Sequence, residues 1–147
     1  MNYDPCRRSR IEFYRSDELV SSYDFEYYAN GQIKEEPSFK DGVRDGEWIQ
    51  YFESGEKKSE EMYANAKPNG LWTTWHESTF KKASERTYVD GILEDGFEEW
   101  WDNGEKKIEG QYAGNKKEGV WMNYDPDRRS RYELYRSDKL VSSYDFE

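Results

Sequence analysis

The chain holds one histidine, His76, and one cysteine, Cys6, seventy residues apart. No Cys/His cluster has metal-ligand spacing, and no nucleophile stands with a base, so neither metal nor triad chemistry is expected and no cofactor is implied. His76 follows Trp75 at a place where Phe52 and Trp101 stand in sister copies. A packing or surface role is the expectation there. Paired carboxylates recur at Glu35-Glu36, Glu60-Glu61, Glu94-Asp95 and Glu98-Glu99. A glycosidase needs two such groups about 5–10 Å apart with one held protonated. With 37% charged residues, chance pairs are inevitable, so solvated faces are expected and the chain reads as a non-enzyme. The lysine pairs Lys57-Lys58, Lys81-Lys82 and Lys106-Lys107 could form a phosphate-binding stripe. Glu60, Glu61, Glu85 and Glu109 nearby are expected to neutralise it through cross-strand pairs.

The stronger signal is aromatic. Trp48/Tyr51, Trp72/Trp75, Phe97/Trp100/Trp101 and Trp121/Tyr124 form a ladder in which an aromatic stands three positions after the first member of each rung. On a strand, residues i and i+3 point to opposite faces. Stacking of hairpin on hairpin takes most of the ladder, and the members on the second face are candidates for an exposed strip. Tyr51, Trp75, Trp100 and Tyr124 are the expected partner anchors, with Glu60, Glu61, Glu98 and Glu99 around them.

The elements that carry this ladder repeat. Gly46-Glu47-Trp48 opens a unit that turns at Ser54-Gly55, climbs to Tyr63 and closes on Asn69-Gly70. Trp48 recurs as Trp72, Phe97 and Trp121, at steps of 24, 25 and 24 residues. The expected framework is Gly46, Trp48, Gly70, Trp72, Gly96, Phe97, Gly119 and Trp121, the glycines marking bends or close backbone approach. Units are placed at about 1–23, 24–46, 47–70, 71–96, 97–119 and 120–147 of one repeat domain. In the third copy Ser78-Thr79 replaces the turn glycine, so an irregular loop is expected there.

Residues 1–26 return as 122–147 with four differences, Cys6/Asp127, Ile11/Tyr132, Phe13/Leu134 and Glu18/Lys139. Interior copies share only framework residues, so the near-identity implies recent duplication of a five-unit block, or engineering. Both a fragment of a longer array and a short chain with a duplicated end fit it.

Two short segments per unit with a Gly/Asn/Ser turn between them read as a hairpin. The fold expected is all-β, an elongated single-layer antiparallel meander of tandem hairpins of about 24 residues each. Pro37 and Pro68 should fall at turns or edges. Arg7, Arg8, Arg10 and Arg15, with their copies at the other end, could blunt the open edges.

Asp and Glu number 32 against 22 Lys and Arg, a net charge of −10. That disfavours nucleic acid and anionic membrane and favours a basic protein partner. Six Trp and thirteen Tyr supply order where aliphatics are few. The lone Cys6 excludes an intrachain disulfide framework. No apolar run approaches membrane-spanning length, so no membrane insertion is expected. Met1 is not followed by a signal-type apolar stretch, which favours the cytoplasm; secretion or a surface location remains open for a fragment.

Gly46, Trp48, Tyr51, Gly55, Lys57, Lys58 and Tyr63, recurring at 70–88, 96–112 and 119–135, resemble the MORN repeat family and specifically its bacterial variant. The resemblance implies a β-hairpin scaffold that binds proteins, without a catalytic constellation, of the antitoxin or immunity kind. Choline- and glycan-binding repeats also alternate Gly-x-Trp with Tyr at about this period, which gives an alternative reading. Head-to-tail self-association through the duplicated ends is a third.

Overall fold

The structure, a computed structural model, describes residues 8–126 and 130–146. Those residues form one open antiparallel sheet with no helix. In chain order the strands are β1 (Arg8–Arg15), β2 (Glu18–Tyr27), β3 (Ile33–Lys40), β4 (Val43–Tyr51), β5 (Lys57–Ala64) and the two-residue β6 (Lys67–Pro68). There follow β7 (Gly70–Trp75), β8 (Lys82–Val89), β9 (Ile92–Trp100), β10 (Lys106–Ala113), β11 (Lys116–Tyr124), β12 (Ser130–Arg136) and β13 (Lys139–Phe146). Each pairs with its neighbour in sequence, except that β5 passes directly to β7 while β6 pairs back on β5. The all-β meander expected from the repeat is what the chain adopts.

Turn chemistry sets the two rims of the sheet. Along one rim run two-residue turns at Ser16-Asp17, Asp41-Gly42, Asn65-Ala66, Asp90-Gly91, Gly114-Asn115 and Ser137-Asp138, with positive φ at both residues. That is the type I′ geometry whose twist matches the strands, and short polar residues and glycine tolerate it best. The other rim carries longer loops, closed by Phe52 N–H on Glu56 O and Trp101 N–H on Glu105 O, both 2.8 Å. Gly55 and Gly104 supply the positive φ in these loops. In the third copy the loop is one residue longer, from His76 to Lys81, and Phe80 takes the left-handed place at φ 55°. The irregularity expected at Ser78-Thr79 is this extra residue. It also accounts for the step of 25 instead of 24.

Four of the six tight turns dock on the preceding unit. The backbone N–H of Ala66, Gly91, Asn115 and Asp138 donates to the carbonyls of Arg44, Pro68, Leu93 and Lys117, at 2.7–3.0 Å. The Asn115 and Asp138 side chains accept in return from the backbone of Leu93 and Lys117, at 2.8 and 2.6 Å. A single sheet has no second layer, so these stitches and the side chains on each face hold successive hairpins in phase.

Three expectations are corrected. Pro37 lies inside β3, an interior strand, opposite Trp48; the β3–β4 register shifts between Pro37 and Phe39, where an irregular ladder tolerates the missing N–H. Pro68 does sit beside a turn. Gly46, Gly70 and Gly119 have positive φ, but in the third unit Asp95 takes that conformation at φ 60°. Gly96 is ordinary there, with nothing within 4 Å of the position a Cβ would occupy. The arginines do not blunt both edges: Arg8 and Arg10 on β1 are tied to Glu26 and Asp24 of β2. Arg131 and Arg136 lie on β12, one strand in from β13. Arg7, and the copies Arg128 and Arg129, fall outside the described residues, as does Cys6.

Candidate binding face

Strand alternation sorts each unit onto two faces, and the contacts bear the sorting out. One face carries the packing. Trp48 meets Tyr63, Tyr63 meets Trp72 and Trp72 meets Tyr88, with ring centroids 5.9, 5.3 and 4.8 Å apart. Beyond a gap that Arg86 fills over Phe97 at 5.5 Å, the series resumes through Phe97, Tyr112, Trp121 and Tyr135. Arg44 caps it over Trp48 at 3.7 Å, and Lys117 lies over Trp121 at 4.2 Å. Trp121 is the most buried large side chain, at 1% exposure. This is the core face. Offset and edge-to-face pairs of this kind add about 0.5–1.5 kcal/mol each beyond area burial.

His76 belongs to the same face and joins two hairpins. Its Nε2 lies 2.8 Å from the Trp100 carbonyl, and since a carbonyl only accepts, Nε2 carries the proton. Tyr28 donates likewise to the Tyr51 carbonyl at 2.8 Å, and Trp101 to that of Tyr124 at 3.4 Å. The packing role expected for His76 is thus a polar latch between units.

The second face presents two rows. The upper row runs across seven strands as Tyr51, Lys57, Trp75, Lys82, Trp100, Lys106 and Tyr124, so aromatic and lysine alternate. A one-residue bulge in β5, β8 and β10 turns each of these lysines to the same side as its aromatic neighbours. Lys57 lies 5.9 Å from the Trp75 ring and Lys82 5.3 Å from that of Trp100. The lower row reads Ile49, Glu60, Thr73, Glu85, Glu98, Glu109 and Met122. Glu85, Glu98 and Glu109 stand directly opposite one another on adjacent strands.

Lys57, Lys82 and Lys106 each bind the glutamate three residues on, at 2.6, 2.5 and 2.5 Å, and Lys106 also reaches Glu98 at 2.8 Å. The neutralising pairs expected around the lysines therefore form, mostly within a strand. Lys57 holds the Glu60 carboxyl below its ordinary value. Lys106, helped by the Tyr124 hydroxyl at 2.6 Å, does the same for Glu109. Glu47 on this face is shifted up, by burial first and then by Glu60. Tyr51 is shifted up by burial and by Glu36. Glu36, Glu47, Glu60, Glu85, Glu98 and Glu109 thus share the face with Lys57, Lys82 and Lys106, and carboxylates outnumber cations.

The structure brings Tyr51, Trp75, Trp100 and Tyr124 into one row, with Glu60 and Glu98 beneath. It does not bring Glu61 and Glu99 there. Glu61 lies on the core face under the Tyr63 hydroxyl at 2.9 Å, and Glu99 is paired there with Lys107 at 3.4 Å. Adjacent residues of a strand cannot share a face, so each Glu-Glu dipeptide is divided. Sequence reasoning left out Glu47 as an anchor and took Glu85 and Glu109 only as neutralising groups. The recurrent Lys-x-x-Glu and Lys-x-x-x-Glu spacing in the second strand of each unit was the available signal. Among the described residues no three or more His, Cys, Asp or Glu side chains are placed so that they could hold a metal ion together. None of them forms a helix long and apolar enough to cross a membrane.

The MORN repeat variant family matches this chain over residues 25–41 and 44–65. Those spans run from the end of β2 to the turn after β5 and include Trp48, Tyr51, Gly55, Lys57, Lys58 and Tyr63. Repeats of this kind are non-catalytic motifs that bind proteins or membranes. No curated relative matches the chain.

Proposed function

We propose that the chain is a non-enzymatic scaffold that takes a basic segment of a protein partner on the face formed by the aromatic–lysine row and the glutamate row. The observation that carries the reading is the direct opposition of Glu85, Glu98 and Glu109, next to Trp75 and Trp100. Lys82 and Lys106 already pair with these three carboxylates, and with three carboxylates to two lysines the row keeps acceptor oxygens for a partner's lysine or arginine laid along it. The half-exposed rings beside the row supply apolar contact at low entropic cost.

The resemblance to variant MORN repeats extends this reading to an antitoxin or immunity role, in which the partner is a basic toxin. A choline or glycan site fits the face less well. The ring surfaces of Trp75 and Trp100 that a quaternary ammonium would need already have Lys57 and Lys82, respectively, beside them.

The test is capture of partners from a lysate with parent, Trp75→Ala, Trp100→Ala and Glu98→Gln proteins, each first shown to be folded, with washes at low and then high salt. A basic protein retained by the parent, lost from the variants and eluted by salt is the expected result. Equal retention by folded Trp75→Ala and Trp100→Ala proteins would sink the proposal.

A further inference from the structure

We propose that the second face seats one arginine side chain of the partner in a hollow at Gly96, beside Glu98 and Glu109. The inference rests on the scaffold reading above and adds to it a single anchoring point and the residue that fills it.

Glycine at position 96 answers to nothing inside the chain. Its φ lies outside the left-handed region, which Asp95 occupies at φ 60°. A Cβ on it would meet nothing within 4 Å, so no packed neighbour needs the space either. Gly110 shows the contrast, because there the indole of Trp121 takes the place of a Cβ. The bulge in β9 does not ask for glycine either. At the sister positions, one before Trp48, Trp72 and Trp121, stand Glu47, Leu71 and Val120. Each follows a glycine of positive φ, as Gly96 follows Asp95. Each lies next to a core-face aromatic on its strand and so points to the second face. Leu71 and Val120 stand out from it at 49% and 44% exposure. A glycine kept inside a strand without a conformational need marks the close approach of another group.

The missing side chain leaves a hollow of about 300 Å³ in the second face. Its floor is main chain at Gly96 and Gly110. Val120 and Met122 line one side, and Gln111, directly opposite Gly96, lines another. Glu98 and Glu109, opposite each other on adjacent strands, close it toward the aromatic–lysine row. No lysine or arginine lines it.

The charge of that rim is not cancelled from within. Lys106 binds both carboxylates, Glu98 at 2.8 Å and Glu109 at 2.5 Å, and Tyr124 donates to Glu109 at 2.6 Å. Two carboxylates thus share one lysine. Lys106 stands opposite Trp100 and covers the pair from the rim of longer loops, whereas the hollow lies on the side of the tight turns. Glu85, opposite Glu98 on β8, adds a third carboxylate, which Lys82 holds.

These walls select among side chains. A planar guanidinium lies flat on a floor of bare peptide groups and offers a fork of donors to two carboxylates side by side, which a compact ammonium does not. The methylene stem of an arginine covers Val120 and Met122. An apolar side chain would strip water from the carboxylates and return no hydrogen bond.

Methionine methyl signals in NMR test this. Met122 lines the hollow, and Met62 lies on the same face outside it. The probe is N-acetyl-arginine amide, with N-acetyl-lysine amide for comparison, titrated at low salt into the full chain labelled on its methionine methyls. Met122→Leu identifies the signal. The arginine amide should move the Met122 signal along a saturating curve, leave Met62 in place and bind more tightly than the lysine amide. Gly96→Val, which needs no left-handed backbone, should keep the parent's tryptophan emission and lose the response. Glu98→Gln leaves the hollow open and should weaken the response roughly threefold, the effect of one half-exposed charge pair. If Gly96→Val does not fold, Glu98→Gln decides the matter. A response indifferent to these variants, equal movement of Met62, an equal response to the lysine amide, or no saturating response would each overturn the proposal. The seat and the scaffold fail separately. Partner capture that survives Gly96→Val but not Trp75→Ala would strike the seat and keep the scaffold. A seated arginine amide with no partner captured by the parent would do the reverse.

Discussion

Gly110 and Trp121 share one space: a Cβ on Gly110 would lie 2.2 Å from Cδ2 of the indole and 2.4 Å from Cε2. Gly110 stands opposite Phe97, at the place where Glu61 and Arg86 stand in sister units. Its φ is not in the left-handed region, so the glycine serves contact and not backbone conformation. Only without a side chain there can Trp121 lie flat on β10, and this explains why it is the most buried aromatic. Gly110→Ala should therefore destabilise the chain by about 1–3 kcal/mol through overpacking. Urea unfolding followed by tryptophan emission reads this, with a red shift in the folded state as Trp121 is pushed outward. A neutral Gly110→Ala would contradict the packing described.

Tyr63 should ionise late. Burial first, and then its bond to Glu61, push its hydroxyl from 10.0 up to about 12. A group whose folded value is raised contributes stability that is complete below the unfolded value and is lost as pH rises through the folded one. The chain should thus hold the Tyr63 contribution up to pH 10 and lose it progressively toward 12. Absorbance titration of tyrosinate, comparing parent with Tyr63→Phe, should show the last-ionising fraction disappear in the variant.

Acid should act through the second face. Glu60 and Glu109 are held below their ordinary value of 4.5, by Lys57 in the first case and by Lys106 and Tyr124 in the second. Groups lowered in this way contribute stability that is present above the unfolded value and lost as pH falls through the folded one. Stability should be flat against these two groups above about pH 5 and decline below 4.5. Glu109→Gln should flatten the decline. Chemical denaturation at stepped pH measures it, and an unchanged acid limb would refute the assignment.

His76→Phe should reveal the latch between hairpins. Phenylalanine stands at the sister position as Phe52, so the ring fits, but the bond to the Trp100 carbonyl is lost. About 1 kcal/mol of stability should go with it. Hydrogen exchange should speed up at the loop of 76–81 and the end of β9, while β4 and β5 stay protected. Uniform loss of protection would argue against a local latch.

The repeat itself was legible from residues, because period, turn signals and aromatic spacing are local properties. The hairpins, the direction of each strand and the division of Trp48 from Tyr51 follow from alternation alone. So does the longer third loop, where one extra residue and the missing glycine mark the same place. Pro37 was misread because a proline rule for regular strands does not see a bulge opposite it, and bulges depend on the register of three strands together. Glu61 and Glu99 were misplaced by neglecting the alternation that had correctly placed the aromatics. Gly96 was read as a bend by analogy with its sisters, although Asp95 took over the strained conformation.

The amino-acid sequence by itself determined the unit, its number of strands and which aromatics oppose each other across the sheet, since each depends on residues within one hairpin. Tertiary structure alone decided that a lysine falls between every two anchors of the second face and that three glutamates meet across β8, β9 and β10. It alone decided that Gly110 makes room for Trp121, and that Gly96 leaves a hollow beside Glu98 and Glu109. Those facts depend on bulge positions and on which strand happens to be next.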